Sequence, residues 1–375
     1  MTRTMSRRRL LGRGVQALGF LACVGRRALV GAAEAPSVAD MTERAVAFLR
    51  SRQDAKGGWS TGREPGITAI VVTALLRSKR VTPADPAAVR ALTYLEGFIG
   101  PNGGLSEAVH ANYTTAIALM AFREANVNGR YDREIQAGQE FLTVKQWDEG
   151  EGKDREDAFY GGAGYGGSNS RPDLSNTAYF MEALRDTGRP PDDPALQKAL
   201  VFVSRCQNLK SEFNDQPWAG KVNDGGFVYT AANGGSSLAG NEPDGGLRSY
   251  ASMTYAGLKS MIHAGLTPDD PRVRAASDYI AKHYTVDENP GLGQKGLYYY
   301  YQTFAKAFSL LDKPTLTDAS GQSHDWRADL IAALAKRQNP DGSWVNSVDR
   351  FMEGDPNLVT AYALLALAYT RPKGS

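Results

Sequence analysis

Cysteine is almost absent from this 375-residue chain: there are two, Cys23 and Cys206, beside four histidines. His110, His263, His283 and His324 are scattered. No ligand spacing links them to a cysteine, so a thiolate zinc site has no support, and no metal or cofactor is expected. The glycine runs at 161–167, 225–226, 234–235 and 245–246 lack the lysine pattern of a phosphate loop. They read as long loops over one mouth of the molecule, which argues against nucleotide binding. The one short apolar run near the start, Val15 to Val24, is too brief to span a bilayer as a mature helix.

That run sits in a segment with three ordered parts. Ser6-Arg7-Arg8-Arg9-Leu10-Leu11 is a twin-arginine pattern, the apolar run follows, and Ala33-Glu34-Ala35 supplies small residues for a signal peptidase. The expectation is export by the twin-arginine route to a periplasmic or extracellular compartment, with residues 1–35 removed. Residues 36–375 would remain as a single domain. A lesser alternative is a lipid anchor at Cys23, through the poor lipobox Phe20-Leu-Ala-Cys23. Residues 1–35 hold seven of the 43 basic residues and one of the 41 acidic ones, leaving 36 against 40 and a net charge of −4. With no basic block left, nucleic acid is excluded as a partner. With Cys206 the only cysteine left, an intramolecular disulfide is excluded too, and core burial alone must hold the fold. Cys206 itself reads as a buried core thiol.

The chain repeats itself. Arg44-Ala45, Phe48-Leu49, Gln53, Gly57 and Trp59 define a unit of helix, glycine turn and aromatic residue. It recurs at Arg90–Leu105, at Gly138–Gln146 with its turn delayed to 161–167, and at Lys198–Gln207 with its turn at Gly225-Gly226-Phe227. It recurs again, degenerate, at Arg274–Ile280, and finally at Leu334–Trp344. A second helical segment follows each copy, in which a small residue is followed six positions on by a small residue and a large apolar one. These are Thr68–Ala74–Leu75, Thr115–Ala121–Phe122, Thr177–Ala183–Leu184, Ala251–Gly257–Leu258, Thr303–Ser309–Leu310 and Thr360–Ala366–Leu367. Phe48 and Leu49 form an apolar stripe, and Gly57-Gly58 permit a turn that a Cβ would resist. Gln53 is placed to bridge helix-end carbonyls to the next unit, with Trp59 stacked over it. The second helices are nearly uncharged and should lie inside. Six such pairs give an all-α fold, twelve helices in two concentric layers closed into an (α/α)6 toroid.

The Gln-Trp motif at Arg44–Trp59, its echo at Gln338–Trp344 and the six helix pairs resemble the α/α toroid of terpenoid cyclases and protein prenyltransferase β subunits. The resemblance covers Ala39 to about Thr370. In the squalene–hopene-type cyclases of that superfamily it implies an acid in an Asp-x-Asp-Asp-Thr-Ala motif that protonates a polyene in a dry aromatic cavity. The matching stretch here is Asp173-Leu174-Ser175-Asn176-Thr177-Ala178, with Ser175 and Asn176 in place of the two central acids. Ordinary polyene protonation is therefore not expected. The zinc set of the prenyltransferases is not matched either, since Cys206 has no Asp two residues before it.

Chemistry-bearing residues gather at the inner-helix mouths. Asp244-Gly-Gly-Leu-Arg248-Ser-Tyr250 leads into the fourth inner helix and Tyr298-Tyr299-Tyr300-Tyr301 opens the fifth. Four consecutive tyrosines face all ways round a helix, so at least one or two must point into the ring and the others pack between layers. Asp173, Asp244 and Tyr298 are the candidate catalytic residues, and Ser175, Asn176, Arg248, Tyr250 and Tyr301 the candidate binding residues. Asp192-Asp193-Pro194, Asp269-Asp270-Pro271 and Glu353-Gly-Asp355-Pro-Asn357 read as helix caps. His324-Asp325-Trp326-Arg327 has the composition of an acid–base pair but the position of a helix-entry cap. The expected partner is an apolar small molecule or lipid of isoprenoid type, with peripheral membrane contact as a secondary expectation. Two other readings compete: a non-catalytic lipid-binding or interaction toroid, and a polysaccharide-active α/α ring.

Overall fold

The computed structural model describes residues 36–61, 65–105, 110–166 and 170–372. The twin-arginine segment and Cys23 lie outside these residues. Outer helices are Val38–Arg52 (α1), Pro86–Glu96 (α3), Asp132–Val144 (α5), Pro194–Arg205 (α7), Pro271–Lys282 (α10) and Trp326–Arg337 (α12). Inner helices are Gly66–Arg77 (α2), Ala111–Ala125 (α4), Leu174–Asp186 (α6), Ala251–His263 (α9), Leu297–Leu311 (α11) and Pro356–Tyr369 (α13), and the short Ala219–Val222 (α8) lies in a loop. A two-residue hairpin pairs Leu316-Thr317 with Ser323-His324.

Burial pattern separates the layers. In α1 only Met41, Thr42, Ala45, Val46 and Leu49 are buried, a single stripe of an amphipathic helix. In α2 every residue but Ile67 is buried, as befits a helix enclosed on all sides. Each inner helix packs on the next, α2 on α4, then α6, α9, α11 and α13, and α13 packs back on α2. The ring is closed, and α1 seals the outer layer against α13. No described helix is long and apolar enough to cross a membrane.

The repeated glutamine makes the joints. Gln53 Nε2 donates to the Gly57 carbonyl of its own turn and to Ala87 O in the first turn of α3, both at 2.8 Å. Gln146 reaches Gly161 O and Ala195 O, and Gln207 reaches Gly225 O and Arg272 O. Gln338 reaches Gly342 O and Met41 O, tying the last unit to the first. The acceptors on the neighbour are first-turn carbonyls, not the helix-end ones expected. The Trp59 indole N–H donates to Leu49 O at 2.7 Å, as that of Trp344 does to Leu334 O at 2.9 Å. Gly57 has φ 93°, and a Cβ there would stand 2.6 Å from the Arg90 carbonyl oxygen, so the turn admits only glycine.

A threonine on each of five inner helices accepts the backbone N–H at the aromatic position: Thr68 from Trp59, Thr115 from Leu105, Thr177 from Ala163, Thr254 from Phe227 and Thr360 from Trp344. The fourth unit is therefore in register at Thr254–Ser260–Met261, three residues beyond the expected Ala251–Gly257–Leu258. The fifth is displaced as well. Ser309 and Leu310 are only half-buried, whereas Ala307 and Phe308 are buried like their counterparts, so the register runs two residues earlier.

The expected caps form, with one rearrangement. Asp193, Asp270, Asp325 and Asp355 accept first-turn N–H groups of α7, α10, α12 and α13. Glu353 instead reaches across to α11, where Oε1 accepts from Tyr298 N at 2.9 Å and Tyr299 N at 2.8 Å.

Candidate functional site

All six inner helices traverse the ring in one direction, which makes its two mouths chemically different. The C-terminal parts of α2, α4, α6, α11 and α13 gather round a polar mouth that includes Arg77, Arg123, Glu124, Asp186, Lys306 and Arg371. Their carbonyl ends carry partial negative charge, which the arginines and lysines of this mouth offset. Beneath lies Glu182, 2% exposed, whose carboxylate meets Lys259 at 2.5 Å, Lys306 at 3.2 Å and Arg77 at 3.7 Å. Burial opposes its charge, yet Lys259, Lys306 and Arg77 together hold it well below the usual carboxylate range. His263 is buried beside this cluster, and burial followed by the Lys306 charge lowers its imidazole to about 3, so it stays neutral.

The N-terminal mouth is apolar. It opens into a cavity of about 560 Å³, a size suited to a small organic ligand. Seven tyrosines line it, Tyr113, Tyr165, Tyr179, Tyr229, Tyr250, Tyr299 and Tyr362, together with aliphatic side chains such as Ile70, Met253 and Leu358. Tyr113 packs edge-on to Tyr179 with centroids 5.5 Å apart, and Tyr299 edge-on to Tyr362 at 6.1 Å, so the rings form a belt. Burial pushes these phenols above their ordinary pKa, which keeps them protonated. Among the described lining residues there is no lysine or arginine, and Asp355 is the sole carboxylate, engaged in capping α13. Gln302 donates to the Tyr179 hydroxyl at 3.3 Å, and Lys259 Nζ stands 5.2 Å from the Tyr179 ring centroid, so Tyr179 separates the apolar cavity from the charged floor.

Asp173 is not itself in the cavity lining but lies behind it, 2% exposed beside the Tyr229 phenol, as the N-cap of α6. Its Oδ1 accepts from Asn176 N and from the Ser175 hydroxyl, each at 3.0 Å, and its Oδ2 accepts from Asn176 Nδ2 at 2.6 Å. The two residues that replace the acids of the cyclase motif thus both bond the acid that remains. Burial raises the Asp173 carboxyl above its ordinary range, against the pull of these donors and of the nearby Tyr229 phenol. Ser175 lines the cavity, and Asn176 is buried behind it. Cys206 is fully buried, as expected.

Tyr250 lines the cavity. Asp244, Arg248, Tyr298 and Tyr301 do not. Asp244 is exposed and its carboxylate caps a turn at Gly246 N. Arg248 is exposed and paired with Glu242 at 2.8 Å. Tyr298 and Tyr301 pack against each other, and the Tyr301 hydroxyl donates to Val286 O in the connection between α10 and α11. The reason is helical phase: the ring-facing stripe of α11 is Tyr299, Gln302 and Lys306, and a step of 100° per residue turns 298 and 301 away. A signal for Tyr299 was present in the repeats. Residues two before the register position, Gly66, Tyr113, Ser175, Ser252 and Leu358, all line the cavity. With the fifth register moved back by two, the same rule selects Tyr299. Tyr165 and Tyr229 come from the long insertions, where no period guides the eye. His324 pairs with Asp318 at 2.8 Å, outside the cavity lining.

No family model matches the chain. A squalene–hopene cyclase of Zymomonas mobilis is 26% identical over 196 residues, a match that spans 48% of this chain and 29% of the length of that relative. Among solved structures, the type II terpene cyclase MstE from Scytonema, in complex with geranylgeranyl dihydroxybenzoate, aligns with a TM-score of 0.56 at 14% identity, covering 89% of this chain and 96% of its own. A glycoside hydrolase family 76 mannosidase from Bacteroides thetaiotaomicron aligns with a TM-score of 0.56 at 11% identity, over 88% of this chain and 98% of its own. The fold of this chain is that of the terpenoid-cyclase-like α/α toroids.

Proposed function

We propose that this chain is an exported protein that binds an isoprenoid-type molecule in the tyrosine-lined cavity and does not start a cyclisation from Asp173. The observation that carries the reading is the lining: seven tyrosine rings and aliphatic side chains, with no lysine or arginine among the described lining residues. Such a surface gains by burying a hydrocarbon chain and offers aromatic faces to it. The likeness to a squalene–hopene cyclase and to a cyclase bound to a geranylgeranyl compound supports the same ligand class.

Asp173 is the only predicted catalytic residue beside the cavity, and its bonding suits a cap better than a proton donor. A general acid must present its proton to the reacting atom, whereas both Asp173 oxygens accept hydrogen bonds from its own helix. The sugar-active reading needs two carboxyl groups flanking a scissile bond; the described lining has one, Asp355, engaged with α13. Incubation of the purified protein with squalene and with polyprenyl compounds, followed by extraction, tests the proposal. The expected result is a retained, unaltered ligand. A cyclised product lost in Asp173→Asn would overturn the non-catalytic clause, and failure to retain any of the panel would overturn the ligand class. Mass spectrometry of the exported protein's N-terminus should show it beginning at Pro36, and an acylated Cys23 would replace that reading with a lipid anchor.

A further inference from the structure

Resting on the reading that the cavity takes an isoprenoid-type molecule, we infer that this molecule carries a neutral oxygen function, an alcohol or a ketone or quinone-type carbonyl, held by Tyr250 and Tyr299. Both tyrosines line the cavity, and their hydroxyls are buried without a hydrogen-bond partner in the protein. Tyr250 is 1% exposed. The hydroxyl of Thr114, fully buried and also lining the cavity, is unpaired as well. A buried hydroxyl left unpaired is unfavourable, and a wall made only to hold hydrocarbon would be better built with phenylalanine at these positions. A ligand oxygen reaching Tyr250 and Tyr299 satisfies both phenols, and a pocket with such donors discriminates strongly against an analogue that lacks the oxygen.

The oxygen must be uncharged. No arginine or lysine is among the described lining residues, and the Asp173 carboxyl acts electrostatically on both Tyr250 and Tyr299. An anion there would face a carboxyl, and the described lining offers no lysine or arginine to offset it, only the imidazole of His110. The N-termini of the inner helices would otherwise attract a diphosphate. Three of the six are already occupied by carboxyl groups: Asp173 on α6, Glu353 on α11 and Asp355 on α13.

The test is equilibrium binding of three probes to the purified full chain: geranylgeraniol, the twenty-carbon hydrocarbon without its hydroxyl, and geranylgeranyl diphosphate. The alcohol is expected to bind tighter than the hydrocarbon by about tenfold or more, and tighter than the diphosphate. In Tyr250→Phe/Tyr299→Phe the alcohol-to-hydrocarbon ratio should fall to about one. The thermal midpoint should stay or rise, because the hydroxyls removed bond nothing in the protein. Equal affinity for alcohol and hydrocarbon in the unmodified protein would overturn the oxygen function while leaving the isoprenoid reading intact, and tightest binding of the diphosphate would overturn its neutrality. Binding of none of the three would overturn the isoprenoid reading itself.

Discussion

Ser175 and Asn176 change what Asp173 is. In the motif that the stretch resembles, both positions are acids, and three carboxyl groups so close cannot all ionise. Here the two replacements are donors, and each bonds the Asp173 carboxyl, so the site becomes a helix cap beside an aromatic wall. Asp173→Ala should lower stability by about 1–2 kcal/mol in urea denaturation, the usual loss for an N-cap. Asp173→Asn should lose less, since asparagine caps nearly as well. Equal losses would show that the charge matters more than the cap. The substitution at 175–176 was legible in the sequence; that the new side chains turn back onto Asp173 was not, because it depends on the extended backbone of Asp173 at φ −145° and ψ 161°.

At the level of elements, the glutamine joint is the unit from which the ring is assembled. Gln338→Ala removes the side-chain bonds to Gly342 O and to Met41 O and should cost about 1–3 kcal/mol in urea denaturation, the sum of two ordinary hydrogen bonds. Gln53→Ala should cost a similar amount, since it leaves an equivalent joint open. A much larger loss at Gln338 would mean that closure of the first unit on the last is worth more than an internal joint. Glu353 ties α13 to α11 and titrates in the opposite sense to most carboxyls. Burial pushes it up to about 7 from 4.5, despite donors from Asn346, Tyr299 and Tyr298. A raised carboxyl binds protons in the folded state that the unfolded chain has lost, so stability falls as pH rises from 4.5 to about 7. Glu353→Gln should gain on the unmodified protein by up to about 3 kcal/mol across that window, measured by urea denaturation at fixed pH steps. A flat difference would remove the assignment. The cap was legible as a cap, but its target was not, because α11 lies more than forty residues away in the chain.

At the scale of the molecule, parallel inner helices create one apolar and one charged mouth, and the charged one sets the acid limit of the fold. His263 is lowered from 6.5 to about 3, by burial first and then by Lys306. Between those pH values the unfolded chain binds a proton that the folded one refuses, so this part of the stability is lost as pH falls. At pH 5 the loss is about 2 kcal/mol. Glu182 adds a further loss below its unfolded value of about 4.5. Guanidinium titrations at pH 7 and pH 5 should show a smaller pH dependence for His263→Gln than for the unmodified protein, and an unchanged slope would place the acid sensitivity elsewhere.

The ring can be read from the order of residues alone. Six copies of one helix-and-turn unit, four of them with the glutamine, each followed by a nearly uncharged helix, leave few ways to bury twelve apolar stripes, and local periodicity carries that information. The same order shows that the cyclase acid is replaced. Which tyrosine faces the cavity was settled by three-dimensional packing, because the degenerate fifth unit hides a two-residue change of register, and two residues on a helix turn a side chain by 200°. That packing alone brought Tyr165 and Tyr229 from the long insertions to the wall, left Asp244 and Arg248 on the surface, and gathered Arg77, Glu182, Lys259 and Lys306 into one floor. Those positions depend on contacts between residues far apart in the chain, which no local pattern encodes.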